Sequence, residues 1–248
     1  MRILLSWDGC KNVRDLGGYP LPGGGITRAG AIVRADSVRQ LSDEGWQALV
    51  DYGIRTVVDL RLPSELDGDP PGGLPVEFVH APLVEELDAN GTAEIDAIAD
   101  AHGDDAVSAT RDVYLEMLER NHAGVAGAVT AVAGAPPGGV LVHCHAGKDR
   151  TGLVAALLLD LAGVDRALIG EDYAQTGVSL AEVLAEWVDE AVDEADRLRR
   201  RRIVSTPAQA IVGVLGVLDA RYGSPREFLR AAGVTESDLG RAVARLAG

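Results

Sequence analysis

The sequence predicts an α/β fold with a central sheet of four to five strands, flanking helices and a helical C-terminal third. Short segments rich in Val and Ile, bounded by Gly, Pro and Asp, alternate with segments of helical periodicity up to residue 165. Beyond residue 165 only helical patterns follow. The chain has 248 residues, 47% of them hydrophobic, which is enough for the core of a single domain, 1–248.

Four segments are predicted as strands because they are short, apolar and bounded by turn signals: 31–33, 54–60, 76–81 and 140–142. The segment 54–60 is β-branched and is expected to be buried on both faces. The Gly/Pro-rich segments 20–25 and 67–73 are predicted as a turn and a loop.

The first predicted helix, 43–52, begins after Ser42, whose hydroxyl can cap the first turn, and Gly53 ends it. Residues 84–109 are acidic and Ala-rich, which fits either a helix or a mobile flap. The further predicted helices are 112–133, 151–161, 181–202, 207–222, 225–232 and 236–246. Ser224 and Thr206 are predicted caps before first-turn prolines.

The charge of the chain argues against polyanionic partners. It has 23 Lys+Arg and 38 Asp+Glu, a formal net charge of −15. Binding to nucleic acid depends on neutralising phosphates with basic side chains, so no nucleic-acid partner is expected. Docking on an anionic membrane is disfavoured for the same reason.

Cysteine usage and the N-terminus bear on the compartment. Two cysteines, Cys10 and Cys144, give no disulfide framework, and the first residues contain too short an apolar run for a signal peptide. We therefore expect a cytoplasmic protein, with leaderless secretion left open. Cys10 is expected to be structural or incidental.

One segment carries the chemistry: His-Cys-His-Ala-Gly-Lys-Asp-Arg-Thr-Gly at 143–152. It joins a predicted strand to a predicted helix, so several backbone N–H groups and a helix N-terminus are expected to face one point. The planar guanidinium of Arg150 can bind two phosphate oxygens at once. The same positive field stabilises the thiolate of Cys144, which makes it a nucleophile under a bound phosphoryl group.

These residues match the Cys-x5-Arg-Ser/Thr signature of cysteine-dependent protein tyrosine phosphatases. The Gly-Lys-Asp-Arg-Thr-Gly version resembles the bacterial tyrosine/serine phosphatase family that includes secreted mycobacterial and listerial enzymes. The segments 12–19, 28–41, 54–61 and 222–234 are also similar to that family. The resemblance spans most of the chain, and it implies a protein tyrosine phosphatase-like fold.

The resemblance implies a role for each residue of the loop. Cys144 forms a phosphocysteine, Thr151 donates a hydrogen bond to its sulfur, and His143 orders the loop. The expected phosphate-binding residues are Cys144, His145, Ala146, Gly147, Lys148, Asp149 and Arg150. No metal or other cofactor is implied.

A general acid must protonate the leaving oxygen, and three carboxylates are candidates. Asp149 lies inside the loop, as in the resembled family, and is preferred. Asp59, at the end of a predicted strand, comes second and can equally cap the following turn. Asp36 is weaker and, with Arg61, is expected to play a supporting role.

Other interpretations stay open. Cys144 can be a small core residue, the neighbouring His143 and His145 can suggest a metal site, and a rhodanese-type sulfurtransferase has a similar but shorter loop. A phosphatase-like module can also capture phospho-ligands without turnover. For the phosphatase hypothesis, the substrate is either a phosphorylated protein or a small phosphomonoester such as a metabolite or a nucleotide-type intermediate.

Three further features carry open alternatives. Lys148 is either a second cation for phosphate or a solvent-facing side chain. The arginine run at 199–202 is either a docking patch or a solvated helix end. Segments 84–109 and 165–202 are predicted lids over the loop.

Overall fold

A computed structural model gives the fold for residues 3–66 and 74–247. Within this part of the chain, one sheet has six strands in the order β1-β2-β3-β6-β4-β5. The strands are β1 (Ile3–Leu4), β2 (Arg14–Asp15), β3 (Ile32–Ala35), β4 (Ile54–Asp59), β5 (Glu77–His80) and β6 (Gly139–His143). The predicted α/β class is confirmed, whereas the predicted loop 67–73 lies outside the described residues.

Four strands form the parallel centre of the sheet, in the order β3-β6-β4-β5. They correspond to the four predicted segments. Two further strands, β1 and β2, add antiparallel pairs at one edge and bring the described total to six. Each of them has only two residues, which is too short to leave a periodic pattern in the sequence.

Eleven α-helices surround the sheet in the described part of the chain. They are α1 (Asp43–Asp51), α2 (Ala89–Asp100), α3 (Ala106–Arg120), α4 (His122–Gly134), α5 (Asp149–Leu161), α6 (Arg166–Ser179), α7 (Ala181–Asp189), α8 (Glu194–Val204), α9 (Ala208–Tyr222), α10 (Pro225–Ala232) and α11 (Glu236–Ala247). Two 3₁₀ turns lie at Val38–Gln40 and Pro63–Glu65.

The helix boundaries follow local capping. Ser42 accepts a hydrogen bond from Gly45 N (3.1 Å), and Ser224 accepts one from Glu227 N (3.1 Å), so these two predicted caps are confirmed. The predicted cap Thr206 is wrong, because its hydroxyl donates to the carbonyl of Ala174 (3.4 Å) and Pro207 takes the cap position of α9. The predicted helix 112–133 is divided into α3 and α4 at Asn121, and the segment 181–202 is divided into α7 and α8. Segment 84–109 contains α2, so the helical alternative is correct.

Two apolar clusters lie on opposite faces of the sheet. The larger one gathers α3 to α6 and α9 to α11, and α5 is buried along most of its length. The smaller one packs Trp7 and Trp46 against Ile54 and Val57. No single described helix is long and apolar enough to cross a membrane, although the bent pair α8 and α9 passes by length and composition.

Candidate active site

The loop between β6 and α5 starts at the centre of the sheet, because β6 lies between β3 and β4. Cys144 directly follows β6 and is buried, with 2% of its surface exposed. Gly147 has φ +67°, and a Cβ there would lie 2.3 Å from the carbonyl oxygen of Ala35. Only glycine fits this contact, so the loop packs its backbone directly against β3.

Three consecutive loop carbonyls accept hydrogen bonds from outside the loop. His145 O accepts from Ser37 N (2.8 Å), Ala146 O from Asn12 Nδ2 (2.9 Å), and Gly147 O from Arg34 Nη2 (2.7 Å). In a trans peptide the next N–H points opposite to the carbonyl. The N–H groups of residues 146–148 are therefore directed away from the protein interior, as the predicted anion cradle requires.

Arg150 lies in the first turn of α5 and makes a two-contact ion pair with Glu65. Its Nη2 donates to Glu65 Oε1 (3.0 Å), and its Nη1 donates to the other carboxylate oxygen. Burial alone would lower the pKa of Arg150, but Glu65 and Cys144 raise it above its ordinary value. Burial would raise the pKa of Glu65, but Arg150 and the backbone N–H of Leu62 lower it. Both groups are therefore charged at neutral pH.

Glu65 was not predicted as a site residue. A usable signal existed, since it follows the carboxyl end of β4, and the carboxyl ends of parallel strands meet at one edge of a sheet. Arg61 helps to place it, because Arg61 Nη1 donates to the carbonyl of Glu65 (2.9 Å). The carboxylate is oriented further by Leu62 N, which donates to Glu65 Oε2 (2.8 Å).

Asp149, at the start of α5, has a half-buried carboxylate. Its Oδ1 accepts a hydrogen bond from the hydroxyl of Tyr114 (2.5 Å) and lies 3.2 Å from Lys148 Nζ. Burial alone would raise the pKa of Asp149, but Lys148 and the Tyr114 hydrogen bond lower it below its usual range. Tyr114 comes from α3 and touches the hydroxyl of Tyr173 (2.7 Å), a pairing that no sequence spacing indicates.

Asp59 is held by Arg61, which donates from Nη2 (2.6 Å), from Nε (3.0 Å) and from its backbone N–H (3.0 Å). Burial would raise the pKa of Asp59, but Arg61 and His143 lower it. His143 Nε2 lies 3.6 Å from Asp59, and its Nδ1 donates to the carbonyl of Cys144 (3.1 Å). Burial lowers the pKa of His143. His143 therefore links the Asp59–Arg61 pair to the start of the loop.

Asp36, a weaker candidate for the acid, binds backbone groups outside the loop, and Thr151 does not form the hydrogen bond expected of it. The carboxylate of Asp36 binds the backbone N–H groups of Lys11 and Asn12 (3.0 Å each), so it organises the segment before β2. The hydroxyl of Thr151 is buried and has no hydrogen-bond partner among the described residues, so the expected bond to Cys144 Sγ is not formed. His145 is exposed at the rim of the loop.

A cavity of about 370 Å³ opens above the loop. Asp149 and Arg150 line it together with side chains of α2, α3 and α8. Helices α2 and α8 join across it, because Arg199 pairs with Asp96 (3.1 Å) and Arg202 pairs with Asp100. The predicted lid segments therefore supply part of the wall, and the arginine run contributes to it.

Lys148 is buried, in contrast to the solvent-facing alternative. Its ammonium group donates to the carbonyl of Ile203 on α8, and it also faces Asp149. Together with Arg150, Arg199 and Arg202, it gives the cavity wall four cations, each of which is paired with a carboxylate. An incoming phosphate must therefore compete with these carboxylates for the four cations.

Other candidate chemistry is absent from the described residues. No group of three or more His, Cys, Asp or Glu side chains there is arranged to hold a metal ion. The Cys10 thiol donates to the carbonyl of Ser37 (3.5 Å). Burial and the neighbouring Asp36 raise the pKa of Cys10 above its ordinary value, which fits a structural role.

Comparison with known proteins agrees with this geometry. A sequence profile described as the tyrosine phosphatase family matches residues 5–248. The triple specificity protein phosphatase PtpB of Mycobacterium tuberculosis is 30% identical over 251 aligned positions, covering 86% of this chain and 90% of the relative. A tyrosine-protein phosphatase of Nostoc commune is 29% identical, covering 88% and 74%. The chain therefore belongs to the tyrosine phosphatase family and is a phosphatase.

Proposed function

We propose that this phosphatase hydrolyses phosphomonoesters through a phosphocysteine on Cys144. The observation that carries the proposal is that Cys144 and Arg150 lie close enough at the start of α5 for their charges to interact, next to the inward-turned carbonyls of residues 145–147. A phosphate dianion held there has its phosphorus next to a nucleophilic sulfur. The amides and the guanidinium supply the positive charge that the transition state needs, so the mechanism requires no metal.

The reaction has two steps. The thiolate of Cys144 attacks phosphorus, the bond from phosphorus to the ester oxygen breaks, and Asp149 gives its proton to that oxygen. Water then attacks the phosphocysteine and passes a proton to Asp149. The phosphorus–sulfur bond breaks, and orthophosphate leaves with Cys144 restored as a thiolate.

Asp149 is favoured as the acid over Asp59 and Asp36 because it lines the cavity. Asp59 is bound to Arg61 and Asp36 to two backbone N–H groups, so neither faces the substrate. Asp149 must carry a proton when the substrate is bound. The negative charge of the bound phosphate supports this, because a neighbouring anion raises the pKa of a carboxyl group.

We propose phosphotyrosine in a protein as the preferred substrate, with phosphoserine as a further one. Apolar side chains of Leu62, Val113, Met117 and Ile203 line the cavity beside Arg150, and they suit a phenyl ring. The net charge of −15 supports isolated phosphate groups over nucleic acid or an anionic membrane. A small phosphorylated metabolite is the alternative.

The segments over the cavity are proposed as a lid. Helices α2 and α8 both line the cavity beside Asp149 and Arg150, and two ion pairs between exposed or half-buried side chains join them. Such pairs contribute only about 0–1 kcal/mol each, so breaking the two ion pairs requires little free energy. Opening of this lid would admit a phosphorylated side chain.

The decisive assay is hydrolysis of p-nitrophenyl phosphate in EDTA by the wild type, Cys144→Ser and Arg150→Lys. We expect wild-type activity in EDTA and loss of activity in both variants. Activity that needs a divalent metal, or that survives in Cys144→Ser, contradicts the mechanism. Phosphate binding without turnover by the wild type would indicate a binding module. Phosphotyrosine peptides, phosphoserine peptides and phosphorylated metabolites then define the substrate.

A further inference from the structure

A cluster of buried charged side chains lies directly beneath the phosphate loop. Arg14, Arg34 and Asp172 are each 1% exposed. Asp172 accepts from Arg14 Nε (2.8 Å) and Arg34 Nη1 (2.6 Å), so two guanidinium groups share one carboxylate. Burial alone would raise the pKa of Asp172, but the two arginines lower it to about 2, which keeps the carboxylate ionised.

The cluster reaches the loop by two paths. Arg34 Nη2 donates directly to the carbonyl of Gly147 (2.7 Å). Arg14 Nη1 donates to Asn12 Oδ1 (2.6 Å), which orients the amide so that Asn12 Nδ2 donates to the carbonyl of Ala146 (2.9 Å). Asn12 is completely buried, so its amide has no water to replace these partners.

Net stabilisation relative to an apolar core does not account for the cluster, although removing one of its charges would destabilise the fold. Burying ions costs several kcal/mol per ion, and an ion pair replaced by apolar residues of similar volume is often no less stable. The neighbouring positions Leu16, Ile32 and Val33 show that this part of the molecule accommodates apolar side chains. The hydrogen bonds that lead out of the charged cluster instead end at the carbonyls of Ala146 and Gly147, two successive residues of the phosphate loop.

We infer that Asn12 and Arg34 are positioning residues for the phosphatase reaction, with Arg14 and Asp172 holding them in place. Their two hydrogen bonds keep the carbonyls of residues 146 and 147 turned inward. Because each peptide is planar, the N–H groups of residues 147 and 148 then face the phosphate. Turned the other way, the same peptides would present carbonyl oxygens to a dianion.

The expected loss of activity can be judged from the effect of removing a backbone N–H donor from an oxyanion site. Removing one preorganised donor from an oxyanion site typically lowers kcat by about 10²–10³. Asn12 acts through a peptide and does not touch the phosphate, so a smaller loss is expected. We expect Asn12→Ala to weaken oxyanion binding and kcat/KM by about tenfold to 100-fold.

The test separates anion binding from turnover, because the inference rests on the proposed phosphocysteine mechanism. Tungstate binding is measured by calorimetry on Cys144→Ser and on Cys144→Ser with Asn12→Ala. The matched control is Thr27→Val in the same background. Thr27 is equally buried and donates to Leu16 O (2.7 Å), so this variant loses a buried hydrogen bond away from the loop.

The expected result is tungstate binding weakened at least tenfold by Asn12→Ala and unchanged within twofold by Thr27→Val. Equal tungstate affinity in Asn12→Ala, with a melting temperature lowered as in the control, overturns the inference. Strong tungstate binding by Cys144→Ser together with an inactive wild type would instead contradict the proposed mechanism and leave the loop inference standing.

Asn12→Asp keeps the inference testable if Asn12→Ala does not fold. The aspartate retains an acceptor for Arg14 Nη1 but has no donor for the carbonyl of Ala146. Tungstate binding within twofold of the Cys144→Ser background would overturn the inference in this variant also.

Discussion

The carboxylate of Glu65 meets both terminal nitrogens of Arg150, the side chain that is to bind phosphate. In this pair the guanidinium is already bound by a carboxylate of the protein itself. Glu65→Gln removes the negative charge that faces an incoming dianion, so phosphate should bind several-fold more tightly. Inhibition of p-nitrophenyl phosphate hydrolysis by inorganic phosphate measures this.

Glu86→Gln is the matched control for Glu65→Gln. Glu86 accepts from Ser64 N (3.1 Å) near the same edge of the sheet and, within the described part of the chain, forms no ion pair with Arg150, which is paired with Glu65. Its replacement should leave phosphate inhibition within twofold. Weaker phosphate binding in Glu65→Gln would show that Glu65 orients Arg150 and does not compete with the substrate.

Replacement of Asp149 should have an effect that depends on the leaving group. Asp149→Asn cannot donate a proton, so hydrolysis of an alkyl phosphate or of phosphotyrosine should fall by about 10²–10³. Hydrolysis of p-nitrophenyl phosphate should fall far less, because nitrophenolate leaves without protonation. Steady-state kinetics with both substrates checks this, and equal losses would exclude Asp149 as the acid. Asp36→Asn is the control and should lower both rates alike.

Tyr114 should set the pH range of Asp149. Its hydroxyl donates to the Asp149 carboxylate and, with Lys148, lowers the pKa of that group. Tyr114→Phe therefore raises this pKa. A general acid is lost as pH rises through its pKa, so the basic limb of the kcat profile for poor leaving groups should move to higher pH. An unchanged or lowered limb would contradict this role.

Tyr173→Phe serves as the comparison for Tyr114→Phe. Tyr173 touches Tyr114 (2.7 Å) and, among the described residues, has no hydrogen bond of its own to Asp149, although the charge of Asp149 acts on it. Its replacement should shift the basic limb in the same direction as Tyr114→Phe or less. A larger shift in Tyr173→Phe would mean that the pH dependence does not arise from the Tyr114 hydrogen bond.

Loss of the ion pairs between α2 and α8 should open the proposed lid. In Asp96→Asn with Asp100→Asn, alkylation of Cys144 by iodoacetamide should be several-fold faster, and added salt should accelerate the wild type because it screens the same pairs. Glu236→Gln removes pairs between α10 and α11 and should leave the rate unchanged. Equal rates in all three proteins would exclude a lid held by these pairs.

Asp172 should contribute to acid stability. Its pKa is lowered to about 2 from an ordinary value of 3.8, so the stability that it provides is present above pH 3.8 and is lost as pH falls towards 2. Asp172→Asn leaves two arginines buried without a counter-ion, at a cost of about 3–5 kcal/mol at neutral pH. Urea unfolding at pH 7 and pH 3 checks this, and an unchanged midpoint at pH 7 would contradict it.

The site was predictable where its residues are contiguous in the chain. Cys144, Asp149 and Arg150 lie within seven positions. The strand–loop–helix order that apolar patterns reveal indicated Cys144 and Arg150, whereas Asp149 was indicated by the resemblance to the family. The four central strands were predictable for a similar reason, since each is a distinct apolar segment. Strands β1 and β2 were not, because two residues carry no period.

The remaining parts of the site depend on tertiary contacts. Glu65 and Tyr114 reach the loop from the end of β4 and from α3, 85 and 35 positions away. Asn12 and Arg34 were visible only as parts of segments similar to the family, because their hydrogen bonds cross 134 and 113 positions. No local pattern specifies such partners, since they are set by the packing of elements that the sequence describes one at a time.

The close contact of Gly147 with Ala35 has a consequence for protein engineering. The bend of the loop is shaped by the backbone of a neighbouring strand and by three donors from two distant segments, Asn12 and residues 34–37. Residues 143–152 are therefore not expected to adopt the same conformation when they are transferred alone into another protein. Grafted into another sheet, the ten residues would keep their nucleophile and arginine. They would lack the neighbouring strand and the hydrogen-bond donors that bend the loop around an oxyanion.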